Sequence, residues 1–208
     1  MFGFFFRRAV PAPPPDCSAL LKFPPQPAIR DATATLQLDN RANGVAMTHN
    51  KKIVLVVGAG DATGGAIAKR FAREGYVACV TRRSADKLQP LVDSIQSTGG
   101  EAHGFACDAR KEEDVIALIE QIETELGPIE AFVFNIGANV PCSILEETAR
   151  KYFKIWELAC FSGFLNAREV AKRMVTRNRG TILFTGATAG LRGAAGFAAF
   201  AGAKHGIR

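Results

Sequence analysis

Between residues 57 and 65 the chain reads Val57-Gly58-Ala59-Gly60-Asp61-Ala62-Thr63-Gly64-Gly65. Glycine and alanine dominate this stretch, so main-chain N–H groups can come close to a ligand. A helix starting at such a turn adds unpaired N–H groups and a partial positive charge. Together these suit a diphosphate. The flanks supply the context. Residues 53–57 form an apolar run of strand length, and Ala66, Ile67, Ala68, Phe71 and Ala72 recur at helical spacing with Lys69, Arg70 and Arg73 between them. Strand, glycine turn and helix predict a dinucleotide site. The competing reading is an ordinary glycine-rich turn in another α/β protein.

Other reactive side chains narrow the chemistry. His49, His103 and His205 have no metal-ligand spacing. The five cysteines, Cys17, Cys79, Cys107, Cys142 and Cys160, are scattered and odd in number, with no CxxC pair. Neither a disulfide framework nor a zinc site follows, and reduced thiols in a cytoplasmic protein are the expectation. The net charge is +6, but Arg7-Arg8, Lys51-Lys52 and Arg82-Arg83 are separated pairs. No dense basic run points to nucleic acid, and a polyphosphate cofactor suits a mildly basic chain. No apolar run approaches the roughly 18–20 residues of a membrane helix. With 48% hydrophobic and 22% charged residues, the 208-residue chain has the balance of a globular domain.

The elements that must position these groups alternate. Residues 76–81 read as a second strand, 101–107 as a third, 129–134 as a fourth and 181–185 as a fifth. Between them, 84–97, 112–126 and 148–174 carry helical periodicity, and another helix begins at Phe197. Pro128 stops the second of these helices, and 178–180 break the third. Strands alternating with helices imply right-handed crossovers and a doubly wound parallel sheet. Residues 1–46 differ: seven of the ten prolines lie at positions 11 to 27. Proline cannot enter helix or sheet interiors, so this segment is expected to be a disordered or untranslated extension, with Met47 as the native start. Residues 47–208 form the expected domain.

The glycine turn, Asp108, the Asn135-Ile136-Gly137 turn and Lys204 together resemble the short-chain dehydrogenase/reductase family from about Lys52 to Arg208. The resemblance implies a Rossmann-like α/β fold and a nicotinamide cofactor. The family's Gly-x-x-x-Gly-x-Gly turn appears here as Gly58, Ala62 and Gly64, with Gly60, Asp61 and Thr63 between; alanine replaces the middle glycine. The resemblance implies that Asp108, followed by Ala109, hydrogen-bonds the adenine amino group. Asp108 also stands where it could cap the next helix. Asn135 and Gly137 match the turn lining the cofactor floor. At the end of strand two stand Arg82 and Arg83, with no acid until Asp86. A carboxylate there would accept ribose hydroxyls and repel a 2′-phosphate, whereas guanidinium groups suit that phosphate. NADP(H) is therefore favoured over NAD(H), the alternative being a solvated loop.

The family resemblance also implies a catalytic Asn, Ser, Tyr and Lys. The Tyr-x-x-x-Lys segment is Phe200-Ala201-Gly202-Ala203-Lys204, so only lysine remains. The serine position is Ala187, thirteen residues before Phe200, and the asparagine aligns with Ala159. Thr188 is the nearest hydroxyl that could reach a substrate oxygen, although a local backbone bond is the simpler role for it. The family continues past the lysine helix with further strands. Strand five of this chain is thus expected to be an open edge, and the 208-residue chain marginal, aggregation-prone or part of a longer frame. The helices at 148–174 and from Phe197 match the family's dimer faces, so a homo-oligomer is expected. Three readings stand: an NAD(P)(H)-dependent oxidoreductase acting on an unknown carbonyl or alcohol, a nucleotide-binding pseudoenzyme, and a truncated product.

Overall fold

β-Branched and apolar runs form the strands, and amphipathic runs form the helices that cover them. The computed structural model describes residues 51–208. The expectations for residues 1–46 and for Met47 lie outside the described residues. Five strands, β1 (Lys52–Val57), β2 (Tyr76–Arg82), β3 (Glu101–Ala106), β4 (Ile129–Phe134) and β5 (Thr181–Phe184), make one sheet in the order β3-β2-β1-β4-β5. Every pairing is parallel. This is the Rossmann-like, doubly wound architecture expected from the alternation of elements.

The central strand shows why the sheet must be covered on both faces. Ile53, Leu55 and Val57 point to one side, and Val54 and Val56 to the other; all five are buried. The first set packs against α3 (Glu112–Glu125) and α5 (Ser162–Thr176) through Val115, Ile119, Ile122, Val170 and Met174. The second set packs against α1 (Thr63–Arg73) and α2 (Gln89–Gln96) through Ala68, Ala72, Leu91 and Ile95. A parallel sheet buried on both faces needs such continuous apolar strands. The edge strands are less covered: β3 pairs only with β2 and β5 only with β4, and Leu183 and Phe184 of β5 are exposed.

Two helices depart from their predicted course. The segment predicted as one helix over 84–97 begins as a 3-10 turn (Ala85–Leu88), and α2 starts at Gln89. Pro90 explains this, because proline lacks an N–H and is tolerated in an α-helix only in the first turn. The long helix is α4 (Ala149–Trp156) running into α5 through a π-helical step, Glu157–Phe161. Thr148 caps its start by accepting from the Lys151 N–H at 3.2 Å. At the step, the Ser162 hydroxyl donates to the Leu158 carbonyl at 2.7 Å. The last helix is α6 (Ala198–Gly206). Among the described residues, no helix is long and apolar enough to cross a membrane.

Helix α3 offers a test of the packing. Ile122 is fully buried against β1, while Ile116 on the same helix is 39% exposed. Ile122→Ala is expected to cost about 2–5 kcal/mol. Ile116→Ala should cost about 1 kcal/mol or less. Urea unfolding of the two variants measures the difference.

Candidate functional site

In this sheet the chain leaves β1 toward β2 and later returns toward β4, so the topological switch point lies between the carboxyl ends of β1 and β4. The glycine turn sits there. Gly58 has φ +87°, a left-handed conformation that an L side chain rarely adopts. Its N–H and that of Ala59 both donate to the Thr81 carbonyl, at 3.1 and 3.3 Å, which ties the turn to the end of β2. Asn135, just past β4, donates its main-chain N–H to the Val57 carbonyl at 2.8 Å and its side-chain amide to the Gly58 carbonyl at 3.1 Å. Gly64 lies against that junction. A Cβ there would overlap the Gly58 carbonyl oxygen and lie 2.8 Å from Asn135 Nδ2.

Helix α1 begins directly beyond. No side chain caps it and its first turn holds no acid; Asp61, just before the N-cap Ala62, is paired with Arg82. Ala62, standing where the family pattern has glycine, takes φ −99°, an ordinary value for alanine. A methyl group at this position therefore requires no left-handed backbone.

Two cavities meet at Gly58 and Gly137. One is floored by the 58–64 turn, Asn135, Ala187, Phe200 and Lys204. The other lies toward β2 and β3, among Arg82, Arg83, Asp108, Ala109, Ile136 and Leu158. Together they make a continuous cleft over the carboxyl ends of the strands, where open α/β sheets bind ligands. Gly58, Gly60, Asp61, Ala62, Thr63, Gly64, Arg82, Arg83, Asp108, Ala109, Asn135, Gly137 and Lys204, gathered from separate parts of the sequence, all line it.

The charges have specific partners. Arg82 NH1 lies 3.7 Å from Asp61 Oδ1 and donates to the Lys87 carbonyl at 3.4 Å. Asp108 does not cap α3, whose N-cap is Lys111. Its carboxylate instead accepts from Arg110 Nε at 2.9 Å, Arg110 NH2 at 2.6 Å and the Arg110 main-chain N–H at 3.2 Å. These hydrogen bonds from Arg110 hold Asp108 below the usual carboxylate range. Lys204 is only 5% exposed. Its ammonium donates to the Ile136 carbonyl at 3.0 Å and the Thr185 carbonyl at 2.9 Å. Burial lowers its pKa.

The positions around Lys204 lack acid/base hydroxyls. Phe200 and Ala187 line the same cavity as Lys204. Ala159 lies in the π-helical step, fully buried with Ile155, Ala199 and Ala203. Thr188 is not among the residues lining the Lys204 cavity, but it lines a hollow that Ala187 and Phe200 share with that cavity. It is exposed, begins a 3-10 turn, and faces a neighbouring hollow with Asn139, Arg192 and Phe197. Sequence reasoning weighed Thr185 only for its hydroxyl and missed three contacts: Arg110 on Asp108, Lys204 on the Thr185 carbonyl, and Asn166, whose side-chain amide donates to the Ala109 carbonyl at 3.1 Å. The spacing Asp108-x-Arg110 was a signal for the first. The others depend on contacts across 19 and 57 residues, which carry no local signature.

A parallel sheet with a glycine turn at its switch point and a cleft over the strand ends is a dinucleotide-binding Rossmann fold. The chain belongs to the short chain dehydrogenase family, whose model matches residues 52–208. It is 28% identical over 158 residues to a 2-dehydro-3-deoxy-D-gluconate 5-dehydrogenase of Formosa agariphila, covering 76% of this chain and 60% of the relative. A 3-oxoacyl-[acyl-carrier-protein] reductase of Bos taurus is 26% identical, covering 75% and 65%. A crystal structure of a short-chain dehydrogenase from Rhodopseudomonas palustris is 48% identical with TM-score 0.72, covering 76% and 74%. A metagenomic short-chain oxidoreductase in complex with NADP is 25% identical with TM-score 0.72, covering 75% and 71%. The chain spans about three fifths of the length of the first curated relatives it matches.

The turn itself is testable. A methyl group at Gly64 meets main-chain atoms that cannot yield, so Gly64→Ala should cost about 1–3 kcal/mol. At Gly60 the same methyl meets nothing within 4 Å, and Gly60→Ala should stay within about 0.5 kcal/mol of the parent. Chemical denaturation of both variants checks the contrast.

Proposed function

We propose that this chain binds NADP(H) in the cleft and serves an oxidoreductase that moves hydride to or from a carbonyl or alcohol. The cleft carries the reading: an uncapped α1 beside the 58–64 turn at one end, and the buried Lys204 at the other. The cofactor, when bound, supplies the hydride. The protein supplies placement. The turn and the start of α1 would hold the diphosphate, and Asn135 keeps the turn in shape through the Gly58 carbonyl. Arg82 and Arg83 would hold the 2′-phosphate. A metagenomic relative in complex with NADP and a polyketide ketoreductase with NADPH support that choice by their likeness to this chain.

Asp61 opposes it in part. Its carboxylate stands beside Arg82, so a 2′-phosphate must compete for that guanidinium. The ion pair is exposed on the Asp61 side, and such pairs contribute little, about 0–1 kcal/mol. The doubly charged phosphate should therefore displace it.

Proton transfer falls to fewer groups than usual. Of the side chains lining the inner cavity, Asp61 and Lys204 are the titratable ones. Lys204 spends two N–H groups on carbonyls, and an ammonium has three. The third can meet a cofactor hydroxyl or a substrate oxygen. Burial lowers the Lys204 pKa, so its ammonium is complete below that lowered value and is lost as pH rises through it. Binding or turnover that uses this N–H should fail at a pH below the ordinary lysine value.

Finer assignments belong to the same reading. The free Cys79, Cys107, Cys142 and Cys160 suit a reducing compartment, and we place the protein in the cytoplasm on that ground. Exposed Phe153 and Phe164 on α4 and α5 support pairing of copies across that helix.

Titration of the full chain with NADPH and NADH, followed by nicotinamide fluorescence, tests the cofactor. NADPH is expected to bind more tightly; NADH binding as tightly or more so rejects the preference. The double variant Ala187→Ser, Phe200→Tyr should raise carbonyl reduction by about 10²–10⁴, the usual worth of a positioned acid. Steady-state assays against a carbonyl panel measure it.

A further inference from the structure

Next to the part of the cleft toward β2 and β3 lies an arginine that turns onto Asp108. Arg110 sits two positions after Asp108 and turns back on it, giving three donor groups to one carboxylate: Nε at 2.9 Å, NH2 at 2.6 Å and the main-chain N–H at 3.2 Å. The fork is bidentate, which sets the plane of the acceptor as well as its position. The other side of the guanidinium faces Glu157, with NH1 3.7 Å from its Oε2. Glu157 is the first residue of the π-helical step, and its neighbour Leu158 lines the cavity. Asn166 ties the same loop to α5 through the Ala109 carbonyl at 3.1 Å. The 108–110 loop is therefore fixed from both sides.

This arrangement has a chemical consequence. Asp108 lines the cavity beside Arg82 and Arg83, and the bidentate hydrogen bonds from Arg110 fix the orientation of its carboxylate. An ionised carboxylate only accepts hydrogen bonds, and its two oxygens offer about four acceptor positions; Arg110 takes two on Oδ1 and one on Oδ2, so one on Oδ2 remains open to a ligand. The donors of Arg110 point to Asp108 and Glu157, and Arg110 is not among the residues lining the cavity. At this point, then, the protein offers a ligand an acceptor oriented by Arg110. A base with an exocyclic amino group matches that acceptor. A base with a carbonyl oxygen in the same place loses the bond and meets a like partial charge.

Resting on the NADP(H) reading above, we propose that Arg110 is the positioning residue that makes this site select a 6-amino purine over a 6-oxo purine. It does so by locking the Asp108 carboxylate as an acceptor. Arg110 touches neither the reacting atoms nor the base; it acts through Asp108, with Glu157 as its back support.

The test is binding of NADPH and its hypoxanthine analogue to the full chain, read as a ratio of dissociation constants by fluorescence or calorimetry. The parent is expected to favour NADPH by about tenfold or more, the worth of one hydrogen bond to a charged group. Arg110→Ala should bring the ratio to within about twofold, more than it weakens binding of the hypoxanthine analogue. Arg110→Lys keeps the charge but loses the fork, and should give an intermediate ratio; it carries the test if the alanine variant does not fold. Asp108→Asn, which adds a donor, should also collapse the preference. An unchanged ratio in folded Arg110→Ala or Arg110→Lys overturns the inference while leaving the NADP(H) reading intact. So does a parent that binds both nucleotides equally. A folded parent that binds neither overturns the NADP(H) reading and the inference with it.

Discussion

The cleft depends on one junction, where the Asn135 side chain holds the Gly58 carbonyl and Gly64 lies against the same oxygen. β1 and β4 are adjacent in the sheet but 71 residues apart from the end of one to the start of the other, Val57 to Ile129, counting the intervening chain. Parallel pairing aligns their bodies, but it does not dictate what the chain does beyond their ends. The Asn135 amide does, because it pins the first turn to the fourth. A side chain at Gly64 would push α1 away from that turn. The close approach at this point is what places the helix start over the cleft, so its unpaired N–H groups face the same opening as Lys204 and Arg82.

The sheet was legible because its determinants are local. Apart from β3, which carries Glu101 and His103, each strand is an apolar run bounded by a turn or a proline, and each covering helix repeats its apolar residues every three or four positions. Gly58 and Gly64 announced the turn by type and spacing. Less legible were features fixed by contacts between distant residues. Nothing around Glu157 signals a π-helical step; it accompanies the packing of Ala159 against Ala199 and Ala203. Pro90 was visible, but that a 3-10 turn would precede it was not. Asp108 stood out as a carboxylate after strand three, yet its partner is Arg110 rather than the helix it precedes. Thr188 was the nearest hydroxyl in sequence to Ala187, but the 3-10 turn carries it to a different hollow. One residue along a turn can reverse the direction of a side chain, so adjacency in sequence was a poor guide there.

Lys204 shows how burial and composition act together. A buried ammonium is costly unless its donors are used. Here two carbonyls, those of Ile136 and Thr185, accept from it, and both belong to turns that follow the strand ends of β4 and β5. The lysine thus joins α6 to two strand ends at once. Gly190 closes the arrangement from below, where a Cβ would lie 2.8 Å from the Lys204 carbonyl oxygen. Such bonds give Lys204 a structural role that is independent of any hydroxyl at positions 187 and 200, which are Ala187 and Phe200 here. Its presence is therefore weaker evidence of proton chemistry than its place in the family pattern suggests. Evidence for that chemistry has to come from its third N–H and from its response to pH.

The two ends of the cleft are built from different materials, and this bears on which of them can change without the other. The diphosphate end uses main-chain groups: the 58–64 turn, the start of α1 and the carbonyls tied by Asn135. Main-chain groups are set by the fold, so a single substitution seldom removes them unless a glycine is filled. The inner end uses side chains from the loop after β5 and from α6, at positions 187, 200 and 204. There one substitution deletes a hydroxyl and leaves the backbone undisturbed: Ala187 and Phe200 occupy their places without displacing Lys204. In a chain of this construction the side chains at the inner end can change while the main-chain groups at the other end stay in place. Substitutions at positions 187 and 200 therefore act on the inner end alone, while Lys204 is shared between holding the backbone and facing the cleft.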